Sequence, residues 1–152
     1  MNSNSTILIA EDDEGHATLI MKNLRRAGIR NQILLFRDGD EILRFLFRTS
    51  ENKRESGSSY LLLLDIRMPK IDGVEVLRRI KSDPELKKMP VIILTTTDDP
   101  LEVELCHVCG CNNYITKPVE YEKFVQTVQN LGAFMGILQI PDINGIETVC
   151  VR

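Results

Sequence analysis

Tyr60-Leu61-Leu62-Leu63-Leu64-Asp65 is an unbroken apolar run closed by a carboxylate. It is too short to cross a membrane and shows no three-to-four spacing, so it reads as a strand buried on both faces. Met68-Pro69-Lys70-Ile71-Asp72-Gly73 then forms a loop, and Gly73 to Ser82 carries Val74, Val76, Leu77 and Ile80 at helical spacing. A doubly buried strand that leads into a helix is the repeating unit of a parallel sheet.

Outward from this stretch the unit recurs. Thr6-Ile7-Leu8-Ile9-Ala10 is a strand that stops at Glu11-Asp12-Asp13-Glu14. The helix after it places Ala17, Ile20, Met21, Leu24 and Ala27 on one face, and Gly28 ends it. Gln32 to Phe36 is a second strand. A turn at Asp38-Gly39 leads into a helix over Asp40 to Thr49, and Ser50 to Ser59 is a polar loop. Beyond Asp83-Pro84, the strand Val91-Ile92-Ile93-Leu94 ends at Thr95, and Pro100 to Cys109 is helical. Strand Tyr114-Ile115-Thr116 ends at Lys117-Pro118, and a last helix begins near Glu120 with Tyr121, Phe124, Val125, Val128 and Leu131 along one side. Strand–helix rounds without a hairpin predict an α/β fold, a doubly wound five-stranded parallel sheet of the (β/α)5 kind.

Bulk properties set the outer limits. A chain of 152 residues holds one such domain and a modest additional segment. A net charge of -3 and a pI near 5.5 argue against DNA or an anionic membrane as partner. The polar amino terminus has no leader signature, and no apolar stretch reaches membrane length, so the expectation is a cytoplasmic protein. Cys106-His107-Val108-Cys109-Gly110-Cys111 offers metal-ligand chemistry. No second Cys/His cluster supplies a fourth ligand, so Cys106 and Cys109 read as small hydrophobes on the buried side of a helix.

The chemistry sits at the strand ends: Glu11 and Asp12 after the first, Asp65 after the third, Thr95 after the fourth, Lys117 after the fifth. In open α/β sheets, sites form beyond the carboxyl ends of the strands, so these residues can converge. Three carboxylates at one point repel one another unless a cation neutralises them. Oxygen ligands without His or Cys favour Mg2+, with Mn2+ as an alternative. Asp65 can then attack phosphorus as a nucleophile. The cation, the Lys117 ammonium and the Thr95 and Thr96 hydroxyl or backbone groups would share the transferred oxygens.

Ile9-Ala10-Glu11-Asp12-Asp13, Leu63-Leu64-Asp65-Ile66-Arg67-Met68-Pro69 with Asp72-Gly73, Leu94-Thr95-Thr96 and Tyr114-Ile115-Thr116-Lys117-Pro118 together resemble the receiver domains of two-component response regulators, the CheY-like fold. The resemblance spans residue 5 to about residue 131. It implies the flavodoxin-like strand order 2-1-3-4-5 and a phosphoryl group received on Asp65 from a sensor histidine kinase or phosphotransfer protein. It implies further that Asp12 binds the metal directly, Glu11 supports it, and the backbone carbonyl of Arg67 adds a ligand. Lys117 pairs with the phosphoryl group, Thr95 is the switch hydroxyl, Tyr114 the switch aromatic, and Pro118 follows a cis peptide. Ser50 to Ser59, Ile80 to Lys87 and Cys111 to Val119 resemble in particular the single-domain regulators that serve phytochrome-type kinases. Thr96 and Arg67 depart from the usual family residues. Thr96 crowds attacking water and Arg67 cannot orient it, so the expectation is a phosphoryl group that persists for minutes or longer.

The expected domains are a receiver over residues 1–133 and an apolar extension over 134–152. No DNA-binding or catalytic domain is read after the receiver, so output is expected as contact with a downstream protein, through the last two helices and the intervening strand with Val103, His107 and Tyr114. Phe134, Met135, Ile137, Leu138 and Ile140 make the extension either an arm on its own domain or the interface of a homodimer, with Pro141 to Arg152 poorly ordered. Gly132 and Gly136 each weaken a helix there by about 1 kcal/mol. His16, Leu19 and Asn23 are expected on an outward stripe that meets the kinase. Two rivals remain. A haloacid-dehalogenase-like phosphatase would need an acidic residue where Arg67 stands. A receiver that works without phosphorylation would lack Asp65, Asp12 or Lys117. The chain is otherwise no enzyme beyond reactions on itself.

Overall fold

The leucine run is the carboxyl-terminal part of β3 (Ser58–Leu64), and its side chains divide between two cores. Tyr60, Leu62 and Leu64 enter one core, Leu61 and Leu63 the other. This period-two division explains why Tyr60 to Leu64 carries no charged residue: each fully buried leucine contributes roughly 1.5–3 kcal/mol of apolar burial on whichever face it meets. β1 (Thr6–Ala10) and β4 (Val91–Thr95) flank it and divide their side chains in the same way. β2 (Ile33–Phe36) and β5 (Asn113–Thr116) are the edges, giving a parallel order β2-β1-β3-β4-β5. Order and direction agree with the expected doubly wound sheet. The computed structural model describes residues 1–48 and 53–143.

The crossovers are α1 (Glu14–Arg26), α2 (Gly39–Leu46), α3 (Gly73–Ser82) and α4 (Pro100–Cys109), and α5 (Tyr121–Gly136) closes the set. α1 and α5 cover one face, with Ile20, Leu24, Phe124, Val128 and Met135 buried against the sheet. The other core takes its helical residues from α2, α3 and α4. Asp13, Asp38, Asp72 and Asp99 stand before α1 to α4, each carboxylate accepting from a backbone N–H of the first turn. These caps fix where each strand-end loop becomes helix, along the edge where the acidic residues lie. Gly73 permits a close approach beside the site. A Cβ there would lie 2.2 Å from the Asp65 carbonyl oxygen, and the Gly73 N–H donates to the Ile66 carbonyl at 2.8 Å.

Past Leu131 the chain stays helical for longer than the expected domain boundary. α5 continues through Gly136, so residues 134–136 are helical and Met135 is fully buried. Asp142 and Ile143 form a short strand, β6, antiparallel to the start of β3, with Ile143 also fully buried. Leu138 and Ile140 pack against the α1–α5 core. Up to Ile143 the extension therefore lies on its own domain, and poor order does not hold for Asp142 and Ile143. Residues 144–152, like Thr49 to Asn52, lie outside the described residues. The polar loop is also shorter than expected, because Ser58 and Ser59 belong to β3.

Candidate functional site

Burial gathers the charged residues before any ligand does. Glu11 follows β1 and keeps only 2 % of its side chain exposed, and Lys117 follows β5 with 1 %. Asp65 follows β3 with 8 %. Nζ of Lys117 donates to Oε1 of Glu11 in a short contact and lies 3.3 Å from Oδ2 of Asp65. An ammonium between two buried carboxylates offsets their mutual repulsion. Even so, burial, together with the Asp65 charge, pushes the Glu11 carboxyl up to about 7 against the lowering effect of Lys117.

Asp12 is exposed at the rim. Glu11, Asp12 and Asp65 each offer an oxygen, all within 4.8 Å of one another. Hard carboxylate oxygens converging at that spacing, two on buried residues, suit a divalent metal ion. The cysteine cluster makes no comparable group among the described residues. Cys106 is buried, and burial pushes its thiol up to about 12, so it serves as core.

Thr95 is fully buried, and its Oγ1 has no hydrogen-bond partner among the described residues. Its carbonyl accepts from the Lys117 N–H at 2.6 Å, tying β4 to β5 next to the site. Thr96 is exposed. Tyr114 is half-buried against the core, its hydroxyl donating to the Thr97 carbonyl at 2.8 Å, and burial pushes the phenol up to about 12. The Arg67 N–H lies 3.4 Å from Oδ1 of Asp65, while its guanidinium turns outward, 2.9 Å from Oε2 of Glu102 and 3.4 Å from Oγ1 of Thr97. Arg67 thus connects the loop after Asp65 to α4. No sequence signal paired it with Glu102.

Two expectations are corrected. The Lys117–Pro118 peptide is trans, as is every peptide bond among the described residues. The stripe His16, Leu19 and Asn23 does not face outward. Asn23 is buried and joined to α5 by the Gln129 amide at 3.2 Å, Leu19 packs on the core, and the His16 ring lies edge-on to Phe124. α5 covers this stripe, because the last helix returns alongside the first. The outward residues of α1 are instead Glu14, Thr18, Lys22 and Arg26.

With strand order, acidic convergence and the lysine in place, the match to known proteins is direct: the response regulator receiver domain fits residues 7–129, and the chain belongs to that family. A receiver domain from Rhodospirillum rubrum superposes with a TM-score of 0.87 at 45 % identity, covering 92 % of this chain and 99 % of that one. Response regulator Rcp1 of Synechocystis is 33 % identical, over 88 % of this chain and 90 % of its own. Its Mn2+-bound form has a TM-score of 0.83 at 31 % identity, covering 90 % of this chain and 99 % of that one. The phosphorylated cyanobacterial phytochrome response regulator RcpA also has a TM-score of 0.83, at 32 % identity over 91 % of this chain and 99 % of that one. The chain is a two-component response regulator with a CheY-like receiver fold. No helix among the described residues is long and apolar enough to cross a membrane.

Proposed function

We propose that Asp65 receives a phosphoryl group from the phosphohistidine of a sensor kinase or phosphotransfer protein, and that the modified site resets a protein-binding surface. The observation that carries this reading is the Lys117 ammonium held between Glu11 and Asp65, beside a buried Thr95 hydroxyl that lacks a partner among the described residues. An Asp65 carboxylate oxygen forms the new bond to phosphorus. The P–N bond to the donor imidazole breaks, and its electron pair returns to that ring. Lys117 donates to one non-bridging oxygen, and Thr95 supplies its hydroxyl to another. Asp12, Asp65, the Arg67 carbonyl and, in support, Glu11 would hold Mg2+, with Mn2+ as a substitute. When bound, the ion neutralises charge developing on the phosphoryl oxygens.

Loss of the phosphoryl group is slow in this reading. The Arg67 guanidinium is committed to Glu102 and Thr97, and Thr96 narrows the approach of water. In this reading the protein works in the cytoplasm, where kinase phosphodonors are made, and catalyses only reactions on itself. The candidate output surface is α4, where Leu101, Leu105 and Val108 are exposed one turn apart, together with β5 and α5. A second copy of the chain is a candidate partner. Phe134 and Ile137 are exposed on and just beyond α5, and a groove of about 340 Å³ lined by Ile115, Leu131 and Phe134 runs along the β5 edge. Ile137→Glu tests that dimer without disturbing the buried Met135 and Ile143.

The central test weighs the intact protein after acetyl phosphate and Mg2+. One phosphoryl mass is expected, lost in Asp65→Asn and persisting for minutes after donor removal. Release of free phosphate with turnover would instead favour a hydrolase, and no mass gain would favour a receiver that works unmodified.

A further inference from the structure

Lys117 has a third acceptor. Its Nζ lies 3.1 Å from Nδ1 of His16, on the first turn of α1. An ammonium has donors only, so Nδ1 must present its lone pair, which leaves the ring proton on Nε2. The backbone of His16 is fixed by a cap and its ring by one neighbour. The His16 backbone N–H is the one that Asp13 caps, at 3.0 Å. Phe124 of α5 meets the ring edge-on, with centroids 5.4 Å apart and planes at 81°. Oε1 of Glu11 is 4.0 Å from the same Nδ1.

We infer that His16 is a positioning residue for phosphoryl transfer to Asp65: a neutral acceptor that keeps the Lys117 ammonium aimed at the reacting oxygens without cancelling its charge. The inference rests on the reading of Asp65 as phosphoacceptor. Lys117 has three N–H bonds and three acceptors, Glu11, Asp65 and His16, which together fix its rotation. Two of these acceptors have other duties. An Asp65 oxygen must attack phosphorus, and Glu11 belongs to the oxygen set suited to a cation. Each duty loosens its hold on Lys117 as the reaction begins, while the imidazole has no such duty. A carboxylate at position 16 would pair with Lys117 and reduce its pull on the incoming phosphoryl oxygens. An aliphatic side chain would leave one N–H of a buried ammonium unsatisfied and free the group to turn away.

With acetyl phosphate as donor, an Asp65 oxygen bonds to phosphorus, the P–O bond to the acetyl group breaks, and acetate leaves with the electron pair. His16 neither gives nor takes a proton in this step.

The experiment compares wild type, His16→Leu, His16→Asn and His16→Asp. Initial rates of mass gain with acetyl phosphate and Mg2+ are measured beside melting temperature without donor. His16→Leu is expected to react about tenfold more slowly and to melt a few degrees below wild type in one cooperative transition, because one buried N–H loses its acceptor. His16→Asn, whose amide oxygen is a neutral acceptor, should recover to within about threefold of wild type, and His16→Asp should not. Imidazole 15N spectra of the wild type, assigned by loss of the signal in His16→Asn, should show the Nε2–H tautomer. His16→Leu reacting as fast as wild type, His16→Asn no faster than His16→Leu, or an Nδ1–H tautomer would each overturn the inference. A wild type that gains no mass would overturn the reading of Asp65 instead, and the tautomer would still decide the Lys117–His16 contact.

Discussion

The two ends of the sheet both bury polar side chains, and they do so in opposite manners. At the amino-terminal edge the Ser and Asn side chains are neutral and paired, and the one buried charge named there, Arg54, donates from Nε to the Leu46 carbonyl. The Ser5 and Ser59 hydroxyls meet at 2.6 Å, and the Asn31 amide donates at 2.8 Å to each of the Asn2 and Ser5 carbonyls. β6 then crosses this edge and seals it with Ile143. At the carboxyl edge the groups are charged and crowded, and one hydroxyl lacks a partner among the described residues. Neutral, saturated polar groups contribute to stability and specify register. A charged group held by burial, beside an unfilled acceptor site, is stored potential for binding. The same sheet thus has a structural end and a chemical end, and the contrast can be tested by changing each.

The largest effect is expected at the chemical end. Lys117→Met leaves Glu11 and Asp65 unpaired, and intact-mass kinetics should show phosphorylation slowed by about a hundredfold or more. Urea unfolding without metal should show about 3 kcal/mol of lost stability. The structural end should separate these two readouts. Ile143→Ala removes a fully buried side chain and should cost roughly 2–5 kcal/mol in urea, while folded protein is phosphorylated at the wild-type rate.

The third prediction concerns pH. The folded Glu11 carboxyl sits at about 7, above its ordinary 4.5. Between those values the folded protein holds a proton that the unfolded chain releases. This contribution to stability is therefore full below about 4.5 and is lost as pH rises through about 7. Urea midpoints of metal-free protein should fall across that window. With saturating Mg2+ the fall should shrink, because the ion favours the ionised carboxylate. An unchanged slope with the ion would detach Glu11 from the metal set. The smallest effect carries the opposite sign. Thr95→Val replaces an unpartnered hydroxyl with a methyl of similar shape and should stabilise the unmodified protein by up to about 1 kcal/mol in urea. It should also remove any phosphorylation-dependent change in surface contacts.

What the sequence made legible follows the same division. β3 could be read because a strand covered on both faces has no freedom to be polar, and Asp65 because a carboxylate after four leucines has no apolar role. Glu11, Asp12, Thr95 and Lys117 were readable because parallel strands deliver their ends to one edge, wherever they fall in the chain. β6 was not readable, since Asp142-Ile143 is too short to show a period, and its pairing depends on β3 extending past β1. Nor was the setting of His16. Helical spacing put His16, Leu19 and Asn23 on one stripe but could not say which stripe α5 would cover. The Arg67–Glu102 pair escaped for a similar reason, because it joins a loop to a helix whose approach is set by the whole sheet.

The clearance at Gly73 has a mechanical corollary. With a Cβ-sized gap already closed against the Asp65 carbonyl, the wall of the site that runs from Asp65 into α3 has no slack and behaves as a fixed jaw. The opposite wall, from Thr95 through Thr97 into α4, is fastened by a tyrosine hydroxyl and a surface arginine, both of which can let go. Whatever stroke the site delivers is therefore taken up by that second jaw, and a cross-link between Arg67 and Glu102 positions would be the place to stall it.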